Sequence, residues 1–591
     1  MDLRERNSLL GFRRMVTALV IGLKSSAKRI ITPALFIVAS TLSIIPPILR
    51  RGFPPNAEGD EYILRTMIYA RHFKNLDFIP VWSSSDNFGY GSPFPSLYHK
   101  LFYYVSGSLL AVTDSLKISI GGALIFFACL GSFGVFLLAR ELKIERWFAQ
   151  LAAISFVFTN FAITNWLVMG QLSQYSVMMI VPWFMFLILR DVRRARFSVL
   201  LGICLGLMFL AHSVLSYMTV LISFAILVLM CCLRVCRWSM FSFRGLCRVV
   251  MGFTVITAWW LLPMLAFKSN YDISRLLPDY LAVMFQFHSL RDYVWDKNWS
   301  WLGAPHFFTV QLDIPVMIMV LLLIAGFSCA RMRSAMIRFL KSPGGTFVSL
   351  VAIVSLLLQY RRFAFIYEIV PGADFIQFPW RLLSLVSVGL VVLVFGLLGS
   401  LSDSFKPLTT RVVGLVLALA VIAVSGTWQR VNYYQYHPDR THERNYAMLN
   451  NYSLSIFGEY LPTTASRLTP DPKSSAVYSK WHNEINEFAQ KYNSDAQCIV
   501  SRLEKIEEAP RSHFSVECAT SDLVVLPIFA SLAHRVTVID STTNQRTTSR
   551  CITGDFFQGL CAVDLSGGVS LVEVMNPTWF AVVKELIRGL F

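Results

Sequence analysis

Carboxylates close to a membrane exit are costly unless they do chemistry or face water. This chain has such a pair, Asp60-Glu61, in the stretch Asn56-Ala57-Glu58-Gly59-Asp60-Glu61-Tyr62, soon after a long apolar run. A carboxylate held there can take the proton of an attacking hydroxyl as a general base. A solvated loop is the plain alternative for a single acidic pair, and two features weigh against it. Ile63, Met67, Ala70 and Phe73 follow at helical spacing, as in a helix lying on the membrane. The chain then runs from Trp82 to His99 through Asn87-Phe88-Gly89-Tyr90-Gly91-Ser92-Pro93-Phe94-Pro95-Ser96-Leu97-Tyr98. So much Gly, Pro and polar-tipped aromatic suits irregular backbone lining a cavity at an interface. Tyr90, Tyr98 and His99 are pocket candidates.

Long apolar elements must position these residues. Hydrophobic residues make up 55% of the chain and charged residues only 15%, where a soluble chain would carry about 25% charged. The net charge of +17 would suit a nucleic-acid partner, but the basic residues sit in short segments between apolar runs. That is the pattern of cytoplasmic loops, and it argues against nucleic acid. A span takes about 20 apolar residues. Runs that qualify lie near 31–49, 118–139, 147–167, 175–190, 196–212, 214–232, 249–267, 308–328, 345–360, 379–400 and 411–427. The expected fold is thus a polytopic α-helical membrane protein of about 11 transmembrane helices with a C-terminal extracytoplasmic mixed or β-rich domain. Residues 196–232 form one apolar run, with a tight hairpin expected at Ala211-His212-Ser213.

Residues 1–30 are basic and should stay cytoplasmic, and parity then makes every inner loop net positive. The module at 31–427 leaves outer segments at 50–117, 268–307 and 361–378, with a short one at Gly170–Gln174. Residues 428–591 follow as an outer domain. There Leu523–Ala530, Arg535–Ile539 and Val569–Val574 read as strands and Trp579–Phe591 as an amphipathic helix. The membrane is expected to be of the bacterial inner type. Cys498, Cys518, Cys551 and Cys561 all fall in the exported domain, which favours disulfides. Of three possible pairings, the sequential one, 498–518 and 551–561, closes two short hairpin-like loops and is expected. Cys231-Cys232 with Cys236 matches a metal motif only loosely and lacks a His partner.

An acidic residue just beyond the first span resembles the hallmark of the GT-C superfamily of membrane glycosyltransferases, and Asp60-Glu61 resembles the Asp-Glu pair of protein O-mannosyltransferases. More narrowly, the chain is similar to the membrane family labelled 6-pyruvoyl-tetrahydropterin synthase-related. The matching features are Asn87-Phe88-Gly89-Tyr90-Gly91-x-Pro93, Gly170-Gln171-Leu172-Ser173-Gln174-Tyr175, Leu210-Ala211-His212, Trp260-Leu261-Leu262-Pro263, Gln377-Phe378-Pro379-Trp380-Arg381 and Gly458-Glu459-Tyr460-Leu461-Pro462. No soluble pterin-synthase fold or three-histidine zinc site accompanies them.

The resemblance implies an inverting transfer of sugar from a polyprenyl-phosphate donor to an acceptor outside the membrane, which would be a glycan, a lipid or a protein. Asp60 is then the expected base, with Glu61 as alternative base, orienting group or metal ligand. A divalent metal stays open, and no cofactor is certain. The anionic leaving group needs cations, and Arg381, at the outer entry of a span, can hold phosphate bidentately. Arg361 and Arg362 lie outside against the positive-inside bias and either bind phosphate or anchor a helix. Gln377 is a hydrogen-bonding candidate for the phosphate or sugar. Gln171, Gln174, His212 and His288 complete the pocket candidates, with Trp295, Trp299 and Trp301 as an acceptor-facing lid. The competing classes are a transporter or flippase, and a non-catalytic assembly protein, for lipid-linked cell-envelope precursors. A transporter predicts charges along the spans and internal repeats; few charges lie in span centres.

Overall fold

The computed structural model describes residues 32–46, 48, 59–268, 271, 287–295, 310–402, 405–428, 476–503, 509–520, 522–531, 533–553, 557, 559–565 and 567–590. Among the described residues seven helices are long and apolar enough to cross a membrane: Leu116–Glu141, Arg146–Met169, Leu172–Arg193, Val199–Cys232, Phe243–Lys268, Pro379–Leu401 and Pro407–Ser425. Two further pairs qualify only together. Ile314–Gly326 and Ala330–Leu340 meet at 117°, and Pro343–Leu357 and Arg361–Ile369 at 94°, which takes the number to nine. By length and composition the described residues thus give seven to nine candidate spans, with Val199–Cys232 counted as one, where about eleven crossings were expected. The first apolar run forms a shorter helix, Thr32–Pro46, and the basic segment expected as a loop after residue 330 is itself helical.

The longest helix does fold back where expected. His212 has extended backbone, φ −164° and ψ 98°, inside Val199–Cys232. Phe197 before the first arm and Phe224 in the second both pack on Phe241, with ring centroids at 5.5 and 5.6 Å. One straight helix would hold those two rings about 40 Å apart. Glycines let the first arm close on the next helix. A Cβ at Gly202 would sit 2.1 Å from the Val249 carbonyl oxygen, and one at Gly252 would sit 2.3 Å from that of Val199. Small residues at such crossings permit the close backbone approach on which helix association in lipid relies.

The segment after the first apolar run is more helical than its sequence suggested. Gly59–Lys74 is a helix, but every residue from Glu61 to Ala70 is buried, so it is packed into the protein rather than lying on its surface. Its partner is the helix Leu101–Thr113, which is apolar but too short to stand out as a span. Tyr103 stacks between Tyr62 and Tyr69, with centroids at 5.6 and 5.5 Å. A Cβ on Gly107 would meet that of Tyr69 at 2.8 Å.

Beyond residue 475 a helix, Ala476–Asp495, precedes seven strands: β1 Cys498–Arg502, β2 Arg511–Cys518, β3 Asp522–Phe529, β4 Arg535–Asp540, β5 Arg546–Arg550, β6 Leu560–Leu565 and β7 Gly568–Met575. They pair as a five-stranded antiparallel sheet, β1-β2-β7-β4-β5, and a β3-β6 ribbon. Alternate residues such as Phe514, Val516, Val572 and Val574 turn inward and are fully buried. The three expected strands all form. Both expected disulfides are present, Cys498–Cys518 and Cys551–Cys561; the first joins residues directly opposed in the β1–β2 register. The amphipathic Trp579–Leu590 helix closes the domain. Its Trp579 indole N–H donates to the Trp259 carbonyl at 2.7 Å, tying the domain to a spanning helix.

Candidate functional site

The helix that follows the first apolar run starts at Gly59, which places Asp60 and Glu61 in its first turn; the Asp60 side chain lies outside the described residues. Four residues on, one helical turn away, Arg65 meets Glu61 at 3.0 Å, with both side chains only 11% exposed. The Arg65 guanidinium lies 4.0 Å from the centroid of Tyr98 and 5.7 Å from that of Phe94. Tyr98 in turn packs against His99 at 4.6 Å, so the Glu61–Arg65 pair opens onto the end of the Gly- and Pro-rich stretch.

That stretch is a tight, self-bonded turn. The Asp86 carbonyl accepts from the N–H groups of Gly89 and Gly91 at 3.1 and 2.9 Å, and Ser83 and Ser92 bridge antiparallel. Gly91 has φ +85°, and a Cβ there would strike the Trp82 indole at 2.7 Å, so only glycine fits. The chain then reaches the apex of the folded-back helix. At His212 the helical ladder is broken, and residues 99–100 take up the freed groups. The Lys100 N–H donates to the Leu210 carbonyl at 2.9 Å, and the Ser213 N–H donates to Nδ1 of His99 at 3.3 Å. The rings of His99 and His212 stack at 4.4 Å and 26°.

Arg381 enters from the far side. It sits in a 3₁₀ turn, Pro379–Leu382, at the head of its spanning helix. Gln377 before it adopts the left-handed region, φ 58°, which turns the chain. Arg381 is buried; its Nη1 donates to the Ile376 carbonyl at 2.9 Å, and its guanidinium lies 5.0 Å from the Phe378 centroid. Phe378 stacks on Trp380 at 5.1 Å. The positive charges of Arg381 and Arg65 both act on His99. Burial first, and then those two charges, hold the His99 imidazole at about 3, so it is neutral. With Nδ1 accepting from Ser213, its proton is on Nε2.

The structure thus gathers Glu61, Tyr98, His99, His212 and Arg381 around one centre. Arg65 belongs with them and was missed, although its i,i+4 spacing from Glu61 is a readable signal. Gln171 and Gln174 are buried at the neighbouring turn. There the Gln171 N–H donates to the Asn165 carbonyl at 2.9 Å and the Gln174 amide to the Asn165 side chain at 2.8 Å. Asn165 carried no sequence signal. Tyr90 instead faces the C-terminal domain. Its hydroxyl bonds Asn486, its carbonyl accepts from the Phe529 N–H at 2.7 Å, and Arg502 donates to the neighbouring Gly89 carbonyl at 3.1 Å. Tyr90 and Trp82 share one apolar cluster with Phe529, Leu560 and Val582. Arg361 and Arg362 are exposed in a short turn of their own, Arg361–Phe363. His288 is half-buried beside Phe287, which packs on Tyr367 at 6.0 Å. Trp299 and Trp301 lie outside the described residues, and Trp295 is 42% exposed. Among the described residues no three His, Cys, Asp or Glu side chains converge as metal ligands.

Lys100, next to His99, is completely buried, and among the described residues its ammonium has no hydrogen-bond partner. It lies 4.5 Å from the Trp259 centroid. Burial pulls the amine from an ordinary 10.5 down to about 7. The folded value is depressed, so the stabilisation is full above pH 10.5 and is lost as pH falls towards about 7. At pH 7–8 burial holds much of this amine neutral at a free-energy cost, which Lys100→Met removes, and the substitution is expected to raise the melting temperature by roughly 3 °C or more. Thermal unfolding in detergent reads this, and an unchanged or lower value would mean that the ammonium is compensated.

No family model matches this chain, and no curated protein matches it. Solved structures do. The mycobacterial arabinofuranosyltransferase AftD aligns at 17% identity and TM-score 0.43 over 68% of this chain and 27% of its own. The Archaeoglobus fulgidus oligosaccharyltransferase AglB, in complex with an inhibitory peptide and a dolichol-phosphate, aligns at 12% and TM-score 0.42 over 69% and 56%. ArnT from Cupriavidus metallidurans, bound to undecaprenyl phosphate, aligns at 13% and TM-score 0.40 over 79% and 81%. The chain therefore spans about a quarter of the arabinofuranosyltransferase and about half of the oligosaccharyltransferase.

Proposed function

We propose that this protein is an inverting GT-C-type glycosyltransferase that moves a sugar from a polyprenyl-phosphate donor to an extracytoplasmic acceptor. The observation that carries this reading is the convergence of the Glu61–Arg65 pair, Tyr98, His99 and Arg381 at the head of a spanning helix. An acidic group and two arginines at the rim of an apolar bundle suit a substrate whose tail is lipid and whose head is a sugar phosphate.

The residues divide the work. Glu61 is engaged with Arg65, so its task is to hold that cation in place, and Asp60 takes the proton. The acceptor oxygen attacks the anomeric carbon as its proton passes to the Asp60 carboxylate. The bond from that carbon to the phosphate oxygen breaks, and the electron pair leaves with the phosphate. Arg381 and Arg65 stabilise the charge that develops there. One displacement inverts the configuration. In this reading the site faces the extracytoplasmic side, the N-terminus is cytoplasmic, and residues 428–591 form an outer domain docked on the 81–97 turn.

The test is direct. The protein in lipid nanodiscs is given synthetic polyprenyl-phosphate sugars and cell-envelope glycan acceptors. Release of polyprenyl phosphate with an inverted glycosidic product, read by NMR, is the expected result. A retained configuration overturns the single displacement. Passage of the intact donor between leaflets without transfer favours a flippase.

A further inference from the structure

The two stacked histidines have a property that the mechanism above does not use. Nδ1 of His99 accepts the Ser213 N–H, and Nδ1 of His212 accepts the Leu215 N–H, each at 3.3 Å. An imidazole whose Nδ1 accepts must, when neutral, carry its proton on Nε2. Both rings are therefore fixed in the same tautomer, each presenting an Nε2–H donor, and the two rings stack with centroids 4.4 Å apart. Among the described residues, neither Nε2 has a hydrogen-bond partner within the protein. The surroundings are cationic, with Arg381 and Arg65 both acting on His99, and the Glu61 carboxylate is turned to Arg65. Among the described residues these neutral donors beside two cations have no protein acceptor to serve, so the group they suit is an anionic oxygen from a ligand.

We infer that His99 and His212 form a neutral two-donor clamp whose Nε2–H groups bind the phosphoryl oxygens of the lipid carrier; this rests on the glycosyltransferase reading above. The arginines supply the charge that holds the phosphate. The imidazole pair supplies direction, because its rings are held by the backbone of the helix apex. The apex exists because His212 breaks the helix, so the hairpin and the clamp are one device.

Asparagine separates this role from a structural one. Its Oδ1 stands where Nδ1 stood and can still cap Ser213 or Leu215, but nothing reaches the Nε2 position. Binding of undecaprenyl phosphate to the detergent-solubilised protein is measured by calorimetry, with melting temperature as the check on folding. His99→Asn and His212→Asn should each weaken binding by about 10- to 100-fold, the worth of a hydrogen bond to a charged group. In addition, the Nε2 resonances of ¹⁵N-histidine in the unsubstituted protein should shift on adding the lipid phosphate. If the unsubstituted protein binds no polyprenyl phosphate, the glycosyltransferase reading falls and the clamp with it. If it binds, but the folded asparagine variants bind equally well or the Nε2 resonances do not move, the clamp alone is overturned. Variants that do not fold leave the NMR experiment to decide.

Discussion

Asp60→Asn is expected to lower sugar transfer by roughly 10²–10⁴-fold, the usual worth of general-base assistance, while polyprenyl phosphate still binds. Asparagine keeps the shape and removes the base. The lipid phosphate is held by Arg381 and Arg65 in the proposed mechanism, so donor affinity has no reason to fall. The Glu61–Arg65 pair at 3.0 Å sharpens this expectation. A carboxylate that holds an arginine cannot leave it to collect a proton without exposing a buried cation, which makes Asp60 the better base of the adjacent two. The measurement is turnover and donor binding on the same membrane preparation. Full transfer by a folded Asp60→Asn protein would move the base to Glu61. Full transfer by the doubly substituted protein would remove the mechanism and favour a transporter or an assembly protein.

Arg381→Ala should leave the opposite signature. Losing the charge partner of an anionic headgroup in a buried setting is expected to weaken polyprenyl-phosphate binding by about 2–5 kcal/mol. Arg381 is buried, aimed by its bond to the Ile376 carbonyl and by Phe378. Its guanidinium is thus fixed before ligand arrives, unlike an exposed arginine that would first lose side-chain freedom. Arg361→Ala is the control, since that residue is exposed in a separate turn, and donor affinity should hardly change. Equal losses from both substitutions would mean that the effect is general electrostatic attraction and that Arg381 does not grip the phosphate.

Much of this molecule was legible in its sequence because the physics involved is local. Apolar runs mark the helices, since backbone in lipid must bond within its own segment. Alternation over a few residues marked β3, β4 and β7, and the nearness of the paired cysteines along the chain singled out the disulfides. The break at His212 followed from a run too long for one span. The acidic pair stood out because charge is rare in such a chain, and the Arg65 partner was readable at helical spacing though it was not read.

What only the tertiary structure decided is where distant segments meet. His99 and His212 lie 113 residues apart (212 − 99), and no periodicity relates them. They stack because residues 99–100 satisfy backbone groups left open at the helix apex. Tyr90 was expected in the pocket from its polar tip and belongs to the C-terminal domain's docking surface, a choice made by Asn486, Arg502 and Phe529 almost four hundred residues or more further on. The bends of 117° and 94° in two helix pairs likewise leave no mark on hydropathy, because a window average records how apolar a segment is and carries no direction. Side-chain chemistry is written residue by residue, but a site is made by packing, and packing depends on the whole set of helices at once.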